Sequence, residues 1–299
     1  MKIFITGATG YVGGFILDEL QKQGHTARCL VRSSRQAEVL SAPDVETVIG
    51  DVTDPESLHG VLEGCDAIIH LVAIIEEKQR KGITFERINY EGTQHMVDAA
   101  QAQNVPRFIF MSALGSHENA ATPYYRTEGR AEAYVKHSGL THTIFRPSFI
   151  YGPGDAVYTM LATMIRHIPF GWMPIFGDGS YRHQPVSVFN IAQGFVASLA
   201  KDNTHNRVYD VGGPRAIPYR EQLEIVARIV GKPFRPIPVP MWLSKAGVSL
   251  AGGLPFSPID RDRLAMLTKD NVCDPTPFSQ DLNINLETFE KGLDYLKSK

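Results

Sequence analysis

Short apolar runs alternate with longer amphipathic ones through the first half of the chain. Lys2–Thr6, Thr26–Val31, Val45–Ile49, Ala67–Leu71, Phe108–Met111 and Thr143–Phe145 read as strands. Helical patterns at Tyr11–Gln23, Pro55–Leu62, Phe85–Gln103 and Tyr124–His137 fall between them. Phe85–Gln103 sets Ile88, His95, Met96, Ala99 and Ala100 near one face, and Asp54-Pro55 suits a cap followed by a first turn. Strands that alternate with helices imply βαβ units with right-handed crossovers and a parallel sheet covered on both faces. The expected class is α/β, doubly wound and mostly parallel.

After Pro147 glycine and proline thicken, as in Gly152-Pro153-Gly154, Gly212-Gly213-Pro214 and Pro233 to Pro240. Helical patterns persist at Val157–His167, Ile191–Ala200, Tyr219–Val230 and Thr288–Leu296, and Val186–Val188 and Val208–Val211 suggest short strands that rejoin the first sheet. The expected division is a nucleotide-binding domain over 1–170, with segments near 184–212 returning to it, and a smaller C-terminal substrate or partner lobe over 171–299.

Composition narrows the classes. With 43% hydrophobic and 21% charged residues in 299, disorder is excluded as the main state. Lys plus Arg total 30 against 32 Asp plus Glu, so the whole-chain balance gives no argument for nucleic acid or an anionic membrane. Cys29, Cys65 and Cys273 are odd in number and far apart, which fits reduced thiols and a cytoplasmic setting. The strand-like run at Ile3 leaves no room for a signal peptide, and Ala67–Ile75 is too short for a transmembrane segment. Pro238–Pro255 is apolar but broken by Pro240, Lys245 and three glycines; it reads as a core or substrate-lobe helix, or as a docking surface. No metal-ligand spacing, nucleophile elbow or P-loop is present in the sequence.

The sharpest local signal is Thr6-Gly7-Ala8-Thr9-Gly10-Tyr11-Val12-Gly13, between the first strand and first helix. Glycines permit positive φ and close backbone approach, and the helix start offers N–H groups to a pyrophosphate. The spacing is G-x-x-G-x-x-G, a variant of the usual dinucleotide fingerprint. That fingerprint expects an acid about 20 residues on, for the ribose of NAD. Here the second strand ends in Val31-Arg32-Ser33-Ser34-Arg35, which has no acid. Arg32, Ser33 and Arg35 suit a 2′-phosphate and so NADP(H), with NAD(H) as second choice. Asp51, before Val52, sits where a carboxylate can accept the adenine amino group. Leu71, Val72 and Ala73 follow the fourth strand at the carboxyl edge where ligands collect.

With Asn89-Tyr90-Glu91-Gly92-Thr93, Arg146-Pro147-Ser148-Phe149-Ile150-Tyr151-Gly152-Pro153-Gly154-Asp155, Gly177-Asp178-Gly179 and Gln184-Pro185-Val186-Ser187-Val188, these residues resemble the extended and atypical short-chain dehydrogenase/reductase superfamily. The flavour is that of nucleoside-diphosphate-sugar epimerase-like proteins near the nucleotide-binding accessory subunit of respiratory complex I and the NmrA-like proteins. The resemblance covers residues 1 to about 200 and implies a Rossmann-type sheet of seven strands with a small C-terminal substrate lobe. It places Tyr11, Tyr124, Glu128 and Pro147 around the cofactor beside the glycine turn.

Working members pair a Tyr-x-x-x-Lys with a Ser or Thr. The lysine lowers the phenol pKa and binds the ribose, and i, i+4 spacing puts both on one helix face. Tyr124 aligns with the tyrosine, but the lysine position is Glu128 and the hydroxyl position is Ala113, with Ser112 just before it. Tyr124 and Ser112 are the remaining catalytic candidates, and Tyr124 is otherwise a pocket wall. Arg182 is the candidate for a substrate phosphate. The resulting expectation is an NADP(H)-preferring protein of the epimerase/dehydratase-like type. It is either an oxidoreductase or epimerase relative with a non-standard site, or a non-catalytic redox sensor or structural subunit of a respiratory-type complex. A homodimer, or docking to a complex through 238–255, is the partner expectation.

Overall fold

A computed structural model describes residues 1–251 and 261–297 of the chain. Contacts divide it into two compact units. The first comprises Met1–Pro147, Val188–Val211 and Asp274–Asn285; the second comprises Ser148–Ser187, Gly212–Cys273 and Leu286–Lys299. By contact the division thus falls after Pro147, not at 170.

The first unit is built on a seven-stranded parallel sheet. Its strands are β1 (Lys2–Thr6), β2 (Thr26–Val31), β3 (Val45–Ile49), β4 (Ala67–His70), β5 (Arg107–Met111), β6 (Thr141–Pro147) and the returning strand Arg207–Val211. The order across the sheet is Arg207–Val211, β6, β5, β4, β1, β2, β3. The order reverses between β1 and β4, and there the carboxyl ends open a crevice. β1 is paired on both sides, Phe4 with Arg28 of β2 and with Ile68 of β4.

Helix α1 (Tyr11–Lys22) follows β1 and buries Val12, Gly13, Ile16, Leu17 and Leu20, a three- and four-residue spacing that turns one stripe inward. On one sheet face Phe4, Ile68, Phe108 and Ile144 meet Met96 and Val97 of α2 (Gly92–Ala102) and Ala131 and Val135 of α3 (Pro123–His137). The helix expected from Phe85 starts as a π-helical turn over Glu86–Glu91, which holds Asn89, before α2 begins. The helix expected over Pro55–Leu62 is a 3-10 turn, Pro55–Leu58.

Of the two strands expected to return, only Arg207–Val211 joins the central sheet; Val186–Ser187 pairs instead with Ile150–Tyr151 in the second unit. Arg107, almost fully buried, fastens the returning segment, with Nη2 donating to Thr143 Oγ1 at 2.6 Å and to Ser198 O at 2.9 Å.

The second unit has a core of its own, with Tyr158, Leu161, Ile175, Leu223, Val226 and Phe289 among its members. Val157–His167 and Tyr219–Ile229 are its main helices, and a two-stranded parallel ribbon pairs Trp172–Phe176 with Arg235–Val239. No helix among the described residues is long and apolar enough to cross a membrane.

Candidate functional site

The glycine turn leaves β1 at Thr6. Gly7 takes φ +80°, and a side chain there would meet the Leu71 backbone at 3.3 Å. Gly10 N donates to Gly7 O at 2.9 Å and closes the turn. A Cβ on Gly13 would fall 2.2 Å from Gly7 O, so only glycine lets α1 lie this close to the strand end. Gly10 caps α1 without any side-chain bond, and a helix start of this kind presents N–H groups that suit an anion.

A pocket of about 430 Å³ opens along the carboxyl ends of β1 to β4. Gly7, Thr9 and Gly10 line it from the turn, Arg32 and Gln36 from beyond β2, Asp51 and Val52 from beyond β3, and Leu71, Val72 and Ala73 from beyond β4. These expected residues, far apart in sequence, are brought together. Val12 and Gly13 belong to the buried face of α1. Tyr11, Ser33, Arg35, Tyr124, Glu128 and Pro147 are not among the residues lining this pocket. Two cations that the sequence reading missed, Lys81 and Arg87, also line it, together with Thr53 and Ile74. The missing signal is weak: Lys81 and Arg87 lie in and after an irregular stretch that periodicity does not assign.

The pocket's charge is one-sided. Arg32, Lys81 and Arg87 face a single carboxylate, Asp51. Arg32 is exposed and its guanidinium has no partner among the described residues; only its backbone N–H is used, donating to Gln36 Oε1 at 2.8 Å. Asp51 Oδ1 accepts from Thr53 N and Thr53 Oγ1, both at 2.9 Å. The glycine turn, the helix start and this cationic wall fit a dinucleotide.

Behind the β4 wall lies a buried polar cluster. Asn89 clamps the backbone of Ile74, accepting from its N–H at 2.9 Å and donating to its carbonyl at 3.1 Å. The same Asn89 amide donates to Glu128 Oε1 at 2.9 Å. Glu128 is 1% exposed, and its Oε2 has no hydrogen-bond partner among the described residues. Burial first, and the neighbouring Glu132 second, push its pKa up to about 8, so it is a neutral carboxylic acid at pH 7.

Tyr124 starts the same helix. Burial above all, with Glu128 adding to it, holds its phenol pKa well above the usual value, the wrong direction for a base. Its ring packs edge-on against Phe85.

Ser112 is buried and donates to Glu132 Oε1 at 2.7 Å. Glu132 is held in turn by Arg146 Nε at 2.7 Å and Lys136 Nζ at 3.1 Å. Ser112 is therefore committed to a structural ion-pair network. Arg182, in the second unit, is paired with Asp270 at 2.9 Å through Nη2 and at 3.2 Å through Nε.

His70, at the end of β4, is buried between Thr6 Oγ1 at 2.7 Å and Thr93 Oγ1 at 3.1 Å. His142 is buried beside the Leu140 carbonyl.

Fold and pocket together define a Rossmann-type dinucleotide-binding protein. Residues 7–163, just over half of the chain, match the NAD(P)H-binding family model, and the chain belongs to that family. It is 28% identical to the photosystem II assembly factor Ycf39 of Cyanophora paradoxa over 81% of this chain and 72% of that one. It is 25% identical to the mitochondrial NADH dehydrogenase (ubiquinone) 1 alpha subcomplex subunit 9 of Arabidopsis thaliana over 94% and 73%. Among solved structures, UDP-glucose 4-epimerase of Thermotoga maritima, crystallised with UDP-glucose, superposes with a TM-score of 0.77 over 99% of this chain and 97% of that one, at 19% identity. That likeness is one of fold.

Proposed function

We propose that this chain binds NADP(H) in preference to NAD(H) and acts as an oxidoreductase or epimerase relative with a non-standard site. The observation that carries the cofactor choice is Arg32. It stands at the end of β2, on the pocket wall and without a carboxylate partner among the described residues, where NAD-specific sites place an acid. Lys81 and Arg87 add positive charge to the same wall.

In this reading the turn at Gly7, Thr9 and Gly10 and the start of α1 at Tyr11, Val12 and Gly13 hold the pyrophosphate. Arg32, Ser33 and Arg35 hold the 2′-phosphate. Asp51 and Val52 meet the adenine, and Leu71, Val72 and Ala73 lie along the inner half of the dinucleotide, with Tyr124 and Pro147 further along. A bound nicotinamide supplies a site for hydride transfer. The chain supplies no lysine-activated tyrosine. Near the start of the helix Pro123–His137 its protonated side chains include the Tyr124 and Tyr125 phenols and the Glu128 carboxyl. Asn89 keeps Glu128 Oε1 occupied, and any proton leaving Glu128 leaves a buried carboxylate behind.

The commitment of Ser112 to Glu132 favours a second reading, a cofactor-binding subunit or redox sensor without turnover. The subunit named above from Arabidopsis is consistent with it. Three free thiols support a reducing, cytoplasmic setting for either reading.

The test is a fluorescence titration with NADPH and NADH, repeated on Arg32→Glu. A preference of about tenfold or more for NADPH, lost in the variant, supports the assignment. Equal affinities in the unaltered protein refute it. NADPH consumption across a carbonyl and quinone panel then separates an enzyme from a sensor.

A further inference from the structure

Large apolar side chains stand in water along one part of the second unit. On the first strand of the ribbon Met173 and Ile175 are buried while Trp172 is exposed, and on the paired strand Ile237 is exposed. In a parallel pair directly opposite residues share a face, so Trp172 stands beside Arg235 and Pro174 beside Ile237 on the outer side. The Arg235 guanidinium lies 5.4 Å from the Trp172 ring centroid. Just before the ribbon, Phe170 is 79% exposed and takes φ +55°, a conformation phenylalanine rarely adopts. Just after it, a helix opening at Met241 exposes Trp242 at 72% and Leu243 at 47%. The chain has only two tryptophans, and both are here.

The chain segments that build this face carry one sign of charge, with Asp178 and Glu224 only at their borders. Neither Asp nor Glu occurs from 156 to 177 or from 225 to 251, while Arg166, Arg228, Lys232, Arg235 and Lys245 do. The near-neutral total of the chain hides this. The ribbon is also closed to strand addition. Pro236 and Pro238 remove the N–H donors from one edge of their strand, and Pro174 removes one from the other strand.

We propose that this face docks on an anionic lipid bilayer, with Phe170, Trp172, Ile237, Trp242 and Leu243 in the interfacial layer and Lys232 and Arg235 at the headgroups. Tryptophan and phenylalanine beside lysine and arginine is the chemistry of the membrane–water interface. Segments that carry lysine and arginine and no acid complement an anionic leaflet, whereas protein interfaces mix signs and are poor in lysine. The segment expected from sequence to dock, 238–255, is part of this face; its residues 252–255 lie outside those described.

Trp172 and Trp242 report the event directly. Added phosphatidylcholine vesicles containing phosphatidylglycerol should shift tryptophan emission to the blue and carry the protein down on sedimentation. Pure phosphatidylcholine, or high salt, should weaken both effects. Arg235→Gln should lower the partition coefficient about fivefold, and Trp242→Ser about tenfold. Both sites are exposed, so the melting temperatures of these variants should stay unchanged, as should NADPH affinity, which keeps this test separate from that of the cofactor. Vesicles with phosphatidylglycerol that leave the emission unshifted and the protein in the supernatant overturn the proposal. So does unchanged vesicle binding by Trp242→Ser, or a purified protein partner that covers the two tryptophans when vesicles do not.

Discussion

Glu128→Gln should make the protein more stable, increasingly so as pH rises. Glu128 is 1% exposed, and its pKa is pushed from 4.5 to about 8, chiefly by burial. A carboxyl whose pKa is raised on folding contributes most to stability below its unfolded pKa, and that contribution is lost as pH rises through the folded value. Each pH unit between 4.5 and 8 thus costs the native protein about 1.4 kcal/mol. At pH 7 the accumulated cost is about 3 kcal/mol, and above pH 8 it levels off near 5 kcal/mol. Glutamine keeps the shape and the acceptor for Asn89 Nδ2, now at 2.9 Å from Glu128 Oε1, and carries no charge. The assay is denaturant unfolding of both proteins from pH 5 to pH 9. Taking the difference cancels the buried histidines, which both proteins share. The gain should be near zero at pH 5 and about 3 kcal/mol at pH 7, worth roughly 5 °C in Tm. Parallel stability curves, or a variant that is weaker throughout, would show that Glu128 is ionised in the native state and refute the reasoning.

Other perturbations have equally definite outcomes. Arg32→Glu should weaken NADPH by about tenfold to a hundredfold, the worth of a charged hydrogen bond, and leave NADH unchanged or improved in the same titration. Gly13→Ala puts a methyl group 2.2 Å from Gly7 O, so dinucleotide binding should be lost and stability should fall by about 1–3 kcal/mol in a denaturant melt. Arg146→Met strips Glu132 of its guanidinium and should cost about 3–5 kcal/mol; a loss under 1 kcal/mol would mean Lys136 and Ser112 suffice. His70, whose pKa burial pushes down from 6.5 to about 3, is neutral in the fold. A base with a depressed pKa supports stability above its unfolded value, so in the Glu128→Gln background, which removes the opposing carboxyl, stability should fall as pH drops below 6.5, and a flat acid limb of that variant down to pH 4 would contradict this.

Much of the nucleotide-binding unit was legible along the chain because its signals are local. The period-2 and period-3.6 patterns set six strands of the sheet and the helices after its first, fourth and fifth strands, and Gly7 and Gly13 mark a turn that no other residue could make at that spacing. Arg32 stood out because the strand end that should carry an acid carries a cation. The tertiary structure decided what depends on residues far apart in sequence or on removal of water. Lys81 and Arg87 join Arg32 on one wall only because the loop after β4 folds back over the carboxyl ends. Ser112 reads as a free hydroxyl in sequence but is taken up by Glu132, twenty positions on. Glu128 reads as an anion, yet burial makes it an acid. The edge position of Arg207–Val211, and the pairing of Val186–Ser187 with Ile150–Tyr151 instead, rest on strand contacts that short apolar runs cannot specify. Periodicity is a property of neighbouring residues, whereas desolvation and pairing belong to the assembled fold.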